Sequence, residues 1–149
     1  MGEGGTVGIL SGPWSEAEIR NYLAVTVIPV RLASMGTFPM VQSLWFVPDG
    51  LDLWCATQSD SVLARRLRAD GRCGFEVSAD EPPYRGVRGT GHATLVLDAA
   101  AETLPRLIER YAVADDSPLA TWLLSRIDTE VAVRVSPRTL ASWDYSPRM

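Results

Sequence analysis

The chain has 149 residues, a formal net charge of −4 and an isoelectric point near 4.9, and a chain of this length forms one domain that buries roughly 68–70% of its unfolded surface. The acidic balance argues against nucleic acid and anionic membrane surfaces as partners, because binding a phosphate backbone needs a dominant basic face. No apolar run approaches the roughly 18 residues of a membrane span and no secretion signal is visible, so we expect a cytoplasmic protein.

The cysteine and histidine content indicates no metal site. Cys55 and Cys73 stand inside apolar runs without metal-ligand spacing, and the single His92 cannot complete a zinc set. Both cysteines are therefore expected to be reduced thiols in the core.

The first helix is preceded by a Gly-rich segment. Residues 1–13 carry only one charge, which predicts a mobile leader, and residues 14–149 then form the single domain. Ser15 and Glu18 have the spacing of a capping box, so a helix is expected over Glu16–Val25.

An alternating pattern follows the helix and indicates strands. The pattern covers Val27–Ser34 and Met40–Val47, and the turn Pro48-Asp49-Gly50 then predicts a hairpin that returns through Leu51–Thr57.

The next element is a short basic helix over Ser61–Ala69, with Ser59 or Asp60 as its expected cap and arginines 65, 66 and 68 pointing outward. Strands are expected over Arg72–Ala79 and Arg88–Asp98. Glycines 86, 89 and 91 indicate a bulge, or a close approach of another backbone, near the start of the second of these strands.

Two helices and two strands complete the pattern. The helices are expected over Ala101–Ala112 and Pro118–Ile127, the second capped by Ser117, and the strands over Glu130–Ser136 and Thr139–Asp144. Because most strands neighbour one another in sequence, the order predicts a mainly β protein with flanking helices, built as an antiparallel barrel and not from βαβ units.

The turn that leads into the basic helix has the groups of an anion site. Hydroxyls between Thr57 and Ser61, backbone N–H groups at a helix N-terminus, and the nearby Arg65 and Arg66 would bind a phosphate. The alternative is an ordinary helix cap with solvated arginines. Trp45 and Trp54 likewise have two interpretations, as walls for a flat ring or as core packing.

The order of these elements is similar to the pyridoxamine 5'-phosphate oxidase-like family of flavin-binding split barrels. The similarity rests on FPMVQSLWFVPDGLDLWCATQSDS, LARRLRADGRCGFEV, YRGVRGTGHATL and the tail RVSPRTLASWDY. The resemblance implies a six-stranded antiparallel split barrel, a homodimer, and FMN or a deazaflavin coenzyme in the cleft between subunits. Some members bind haem, for which His92 is the candidate ligand here.

The resemblance also implies site residues. The cofactor cleft falls on Gln42, Ser43, Trp45, Thr57 and Gln58, and phosphate binding falls on Ser61 and the helix after it. Members commonly carry a lysine two residues after that serine, where this chain has Leu63, so Arg65 or Arg66 would have to substitute.

A catalytic residue is not assigned, because flavin chemistry needs no protein acid or base. The leading hypothesis is an oxidoreductase that uses FMN or a deazaflavin on a small conjugated substrate. The alternatives are a non-catalytic flavin- or haem-binding protein and a plain structural dimer.

Overall fold

The structure is a computed structural model that describes residues 8–111 and 113–149. In this part of the chain the elements follow in the order β1 (Ile9–Ser11), α1 (Glu16–Val25), β2 (Val30–Ser34), β3 (Met40–Leu44), β4 (Val47–Asp49), β5 (Asp52–Gln58), α2 (Val62–Ala69), β6 (Arg72–Ser78), β7 (Arg85–Val96), α3 (Ala100–Arg110), α4 (Pro118–Ser125) and β8 (Glu130–Asp144).

The strands form one curled sheet, in the order β3-β2-β6-β7-β8-β5-β4, with β1 added to β8. All neighbours are antiparallel except β1 and β8. β3 and β4 lie at opposite edges of this order, yet only Trp45 and Phe46 separate them in sequence. The ends of β3 and β4 therefore lie close together, although the two strands do not pair, and the sheet curls around a core that includes Leu32, Leu53 and Val133. This arrangement confirms a mainly β fold with flanking helices.

The predicted number of six strands is wrong, since eight are present in the described residues. The predicted strand Met40–Val47 divides at Trp45–Phe46, because the N–H of Phe46 donates to the hydroxyl of Tyr111 (3.1 Å) and not to a neighbouring strand. The two predicted strands of the tail are instead one, which runs from Glu130 to Asp144 through Pro137.

The leader predicted over residues 1–13 falls partly on 1–7, outside the described residues. Within 8–13, the structure has a strand in place of the predicted mobile segment. Ile9–Ser11 pairs in parallel with Thr139–Ala141, and the N–H of Trp14 donates to Ser142 Oγ at 3.0 Å. The expected start of the domain at residue 14 stays a prediction.

Local signals fixed the helix starts and the hairpin. Ser15 and Glu18 form the capping box of α1, and Ser117 caps α4. The prediction that Ser59 or Asp60 caps α2 is wrong, since the cap is Ser61. The β4–β5 hairpin is confirmed, and Gly50 in its turn has φ +62°, a conformation that favours glycine.

Both cysteines lie in the core as free thiols, as predicted. Burial raises the pKa of Cys55 to about 12 and that of Cys73 to about 11. We expect neither thiol to react with a disulfide reagent such as Ellman's reagent in the native protein at pH 8, and both to react once guanidinium has unfolded it, because the thiolate is the reactive form. Fast reaction of a thiol in the native state would contradict this burial.

The same raised pKa values make stability depend on pH. The free energy of unfolding should fall as the pH rises above about 9, because the thiols ionise at lower pH in the unfolded chain than in the folded protein.

The glycines of β7 mark a close backbone approach, as the sequence predicted. The register between β7 and β8 shifts between Thr90 and Gly91. A Cβ on Gly91 would overlap the carbonyl of Ser136. We therefore expect Gly91→Ala to lower the free energy of unfolding by about 1–3 kcal/mol, measured by urea unfolding.

Gly74 on β6 is the matched control for this substitution. A Cβ added there would lie 3.8 Å from the carbonyl of Gly89 and 3.9 Å from Ala33 Cβ, which are ordinary contacts. Equal losses for Gly74→Ala and Gly91→Ala would show that the close approach at the bulge is not the cause.

Candidate functional site

The turn between β5 and α2 presents a serine at a helix N-terminus. Ser61 Oγ accepts from the N–H of Ala64 (3.0 Å) and receives a hydrogen bond from the buried Thr57 hydroxyl (2.9 Å). Thr57 therefore fixes the position of Ser61, and its hydroxyl proton is used in that hydrogen bond. The first N–H groups of α2 have no partner within the helix, and the helix dipole adds partial positive charge there. These groups fit a phosphate or another anion.

Two arginines of α2 were predicted to bind the same anion, and the structure gives them different roles. Arg65 stands four residues after Ser61, on the same side of the helix, is exposed, and forms no ion pair with a described residue. Arg66 instead donates from Nη1 to the carbonyl of Phe38 at 2.8 Å, which ties α2 to the β2–β3 loop. Of these two arginines, Arg65 is the one whose guanidinium remains available for an anion.

Leu63 belongs to the core of the curled sheet, with a side chain only 1% exposed. The chain thus uses for core packing the position at which the resemblance implies a lysine. A charge partner for an anion at Ser61 has to come from elsewhere, and Arg65 is the candidate that α2 supplies.

Gln58 lies at the end of β5, and its side-chain amide forms hydrogen bonds with the segment that leads into β8. Nε2 donates to the Glu130 carboxylate and to the Arg126 carbonyl (3.2 Å), and Oε1 accepts from the Thr129 hydroxyl (2.6 Å). Burial raises the pKa of Glu130, while the Gln58 hydrogen bond and the charge of Arg126 oppose that rise. No local pattern in the sequence indicates this network, because Gln58 and its partners are about 70 residues apart.

The predicted residues of β3 and its continuation separate into two groups. Gln42 and Ser43 lie on β3 at the edge of the sheet, half-buried and exposed respectively. Trp45 is stacked on Tyr111, with ring centroids 5.0 Å apart and planes at 8°, and it packs against the core between α3 and α4. The sequence pattern around Trp45 does not indicate Tyr111, which lies 66 positions later.

The remaining candidate from the sequence is His92. It lies on β7 between Arg72 and Ser136 of the neighbouring strands and is exposed. Among the described residues, no three His, Cys, Asp or Glu side chains come together in a way that would hold a metal ion.

No family model matches the chain, and no curated protein matches it by sequence. Solved structures do match it. A conserved hypothetical protein from Mycobacterium tuberculosis is 28% identical with a TM-score of 0.75, over 89% of this chain and 86% of that one. An F420 reductase is 22% identical with a TM-score of 0.68, and the match covers 80% of this chain and 94% of the reductase. A protein of the pyridoxine phosphate oxidase family from Clostridium acetobutylicum, related to general stress protein 26, is 16% identical with a TM-score of 0.66, over 89% and 92%.

These neighbours are pyridoxamine 5'-phosphate oxidase-like split-barrel proteins, which confirms the resemblance seen in the sequence. The fold also occurs in an FAD-binding protein from Mesorhizobium loti and a heme storage protein from Vibrio cholerae. Proteins with this architecture thus include an F420 reductase, an FAD-binding protein and a heme storage protein.

In the described part of the chain, no helix is long and apolar enough to cross a membrane. The cytoplasmic location expected from the sequence stays a prediction.

Proposed function

From the split-barrel fold and the turn before α2, we propose that the protein binds FMN or a deazaflavin coenzyme and acts as an oxidoreductase on a small conjugated substrate. The observation that carries the proposal is the placement of Ser61 at the N-terminus of α2 with Arg65 on the same side. Hydroxyl, backbone N–H and guanidinium groups together fit a phosphate, which both cofactors carry.

The residues near α2 and β3 have different tasks in this proposal. Ser61 and Arg65 bind the phosphate, Thr57 orients Ser61, and Arg66 holds the β2–β3 loop beside α2. Gln42 and Ser43 line the cofactor ring from β3, and Trp45, supported by Tyr111, forms a wall beside it. The bound cofactor supplies the hydride-transfer chemistry, so the chain contributes orientation, electrostatics and the exclusion of water.

We further propose that the protein is a homodimer with the cofactor between subunits. β3 is an edge strand, and Phe38 and Val41 beside Gln42 and Ser43 are 77% and 67% exposed. An exposed edge with apolar side chains needs covering, and a second copy would cover it. Sedimentation that shows a monomer at micromolar concentration would contradict the proposal, as it would leave the cleft half-formed.

The alternative function is a binding protein without turnover, which Leu63 favours because the expected lysine is absent. In its haem-binding form, His92 would hold the haem iron. Haem titration should then produce a Soret band that His92→Ala removes, and the absence of a band excludes this form.

The experiment that tests the main proposal is a parallel fluorescence titration of the ligand-free protein with FMN and with the deazaflavin coenzyme F420. Micromolar or tighter binding of one identifies the cofactor and directs substrate screening. Failure of both contradicts the phosphate site and leaves the haem-binding or structural alternatives.

A further inference from the structure

A cavity of about 460 Å³ lies between the β4–β5 hairpin and the first turns of α3. Its volume falls within the range of small-molecule sites, which runs from about 300 to 1,000 Å³. None of the eight residues predicted to bind the cofactor lines this cavity. It is therefore a second candidate site, independent of the proposed function.

The hairpin side of the cavity is apolar and aromatic. Val47 and Pro48 come from β4, and the half-buried Trp54 comes from β5. The guanidinium of Arg134 lies 5.6 Å from the Trp54 ring centroid and is itself held by Asp52, at 2.6 Å. The indole is thus supported from the neighbouring strand, which gives a preformed surface for a flat ring.

The charges that line the cavity leave one carboxylate uncompensated. Glu102 and Arg106 on α3 form an ion pair with each other at 3.0 Å. Asp49, half-buried on β4, forms no ion pair with a described residue. The lining therefore has a net charge of −1, and it combines that charge with an aromatic wall.

We propose that this cavity binds a small planar aromatic cation. The ring of the ligand packs against Trp54 and Pro48, and its cationic nitrogen pairs with the carboxylate of Asp49. An amidinium group suits this position, because two parallel N–H groups match the two oxygens of a carboxylate. Attraction between the positive charge and the indole face adds to the pairing.

The test is calorimetric titration of the full chain with benzamidine, with benzoate as the ligand of equal shape and opposite charge. We expect benzamidine to bind and benzoate not to bind. The indole N–H signal of Trp54, assigned in a ¹⁵N-labelled sample by comparison with Trp54→Phe, should shift on benzamidine addition. Benzamidine that fails to bind at millimolar concentration, or a Trp54 signal that stays in place, would overturn the proposal.

Three substitutions distinguish ligand binding in this cavity from a general effect of the protein's net charge. Asp49→Asn should weaken benzamidine binding by roughly 10-fold, the cost of one charge-assisted contact. Arg106→Ala should strengthen it about twofold or more, because the substitution removes a repulsive charge and frees Glu102.

The third substitution, Arg65→Ala, changes the net charge by the same amount as Arg106→Ala. Arg65 is on α2 and does not line the cavity, so this substitution should leave benzamidine affinity unchanged. Tighter binding in Arg65→Ala of the same size as in Arg106→Ala would assign the effect to net charge and overturn the local assignment. Binding of benzoate that Arg106→Ala abolishes would make the cavity an anion site instead.

Discussion

Replacing Arg134 by alanine is expected to lower the free energy of unfolding by about 3 kcal/mol, a typical loss when one partner of a buried ion pair is removed. The guanidinium meets one carboxylate oxygen of Asp52 through two nitrogens, at 2.6 and 2.7 Å. The Asp52 side chain is 7% exposed and that of Arg134 is 27% exposed. Without Arg134, the carboxylate stays buried without a partner. Urea unfolding monitored by circular dichroism measures the loss.

The exposed pair of Glu102 and Arg106 is the matched control for this prediction. Arg106→Ala removes the same type of side chain from a pair that water surrounds, so its cost should stay below about 1 kcal/mol. The double variant Asp52→Ala with Arg134→Ala should recover part of the stability lost in Arg134→Ala, because no charge is left unpaired. Equal losses for Arg134→Ala and Arg106→Ala would contradict the assignment of a buried ion pair.

The elements that the sequence predicted well are those that local contacts determine. The start of α1 agrees with prediction, because Ser15 and Glu18 satisfy each other's backbone N–H groups within four residues. The β4–β5 hairpin was also predicted, since its turn depends on Gly50 and its immediate neighbours. In both cases the information sits within a few residues of the feature that it specifies.

The break between β3 and β4 was missed because distant residues cause it. The alternating pattern through Trp45 and Phe46 is that of an uninterrupted strand. The hydroxyl of Tyr111 accepts from the N–H of Phe46 and donates to the carbonyl of Ile28 at 2.9 Å, while Arg110 lies over the Phe46 ring. No pattern within the strand records a partner at the end of α3.

The candidate site shows the same division. Ser61 and Arg65 follow from the local pattern of a helix start and its basic face. The hydrogen bonds of Gln58 and Arg66 do not follow from a local pattern, because their partners are distant in sequence. Gln58 bonds to residues between Arg126 and Glu130, and Arg66 bonds to Phe38. The predicted cofactor contacts of all these residues stay predictions, and the structure adds the hydrogen bonds that Gln58 and Arg66 form within the protein.

Arg65 is the arginine of α2 on which cofactor affinity should depend most. Arg65→Ala is expected to weaken binding of FMN, or of F420 if that is the cofactor, by roughly 10–100-fold, since a hydrogen bond between charged groups contributes about 1.5–3 kcal/mol. Arg66→Ala should change affinity less, because its guanidinium is occupied by the carbonyl of Phe38. Fluorescence titration of each variant gives the dissociation constants.

Arg68 supplies the matched control for Arg65, because it is an exposed arginine in the last turn of the same helix, away from Ser61. Arg68→Ala removes the same charge and should leave cofactor affinity within about twofold, because Arg68 stands seven residues after Ser61, about 10 Å along the helix axis, whereas Arg65 stands only four residues after it. The difference between the two variants should also shrink as salt is added, because exposed charges are screened. Equal weakening in Arg65→Ala and Arg68→Ala would attribute the effect to net charge. Unchanged affinity in Arg65→Ala would place the phosphate away from the N-terminus of α2, and the proposed role of Ser61 would fail with it.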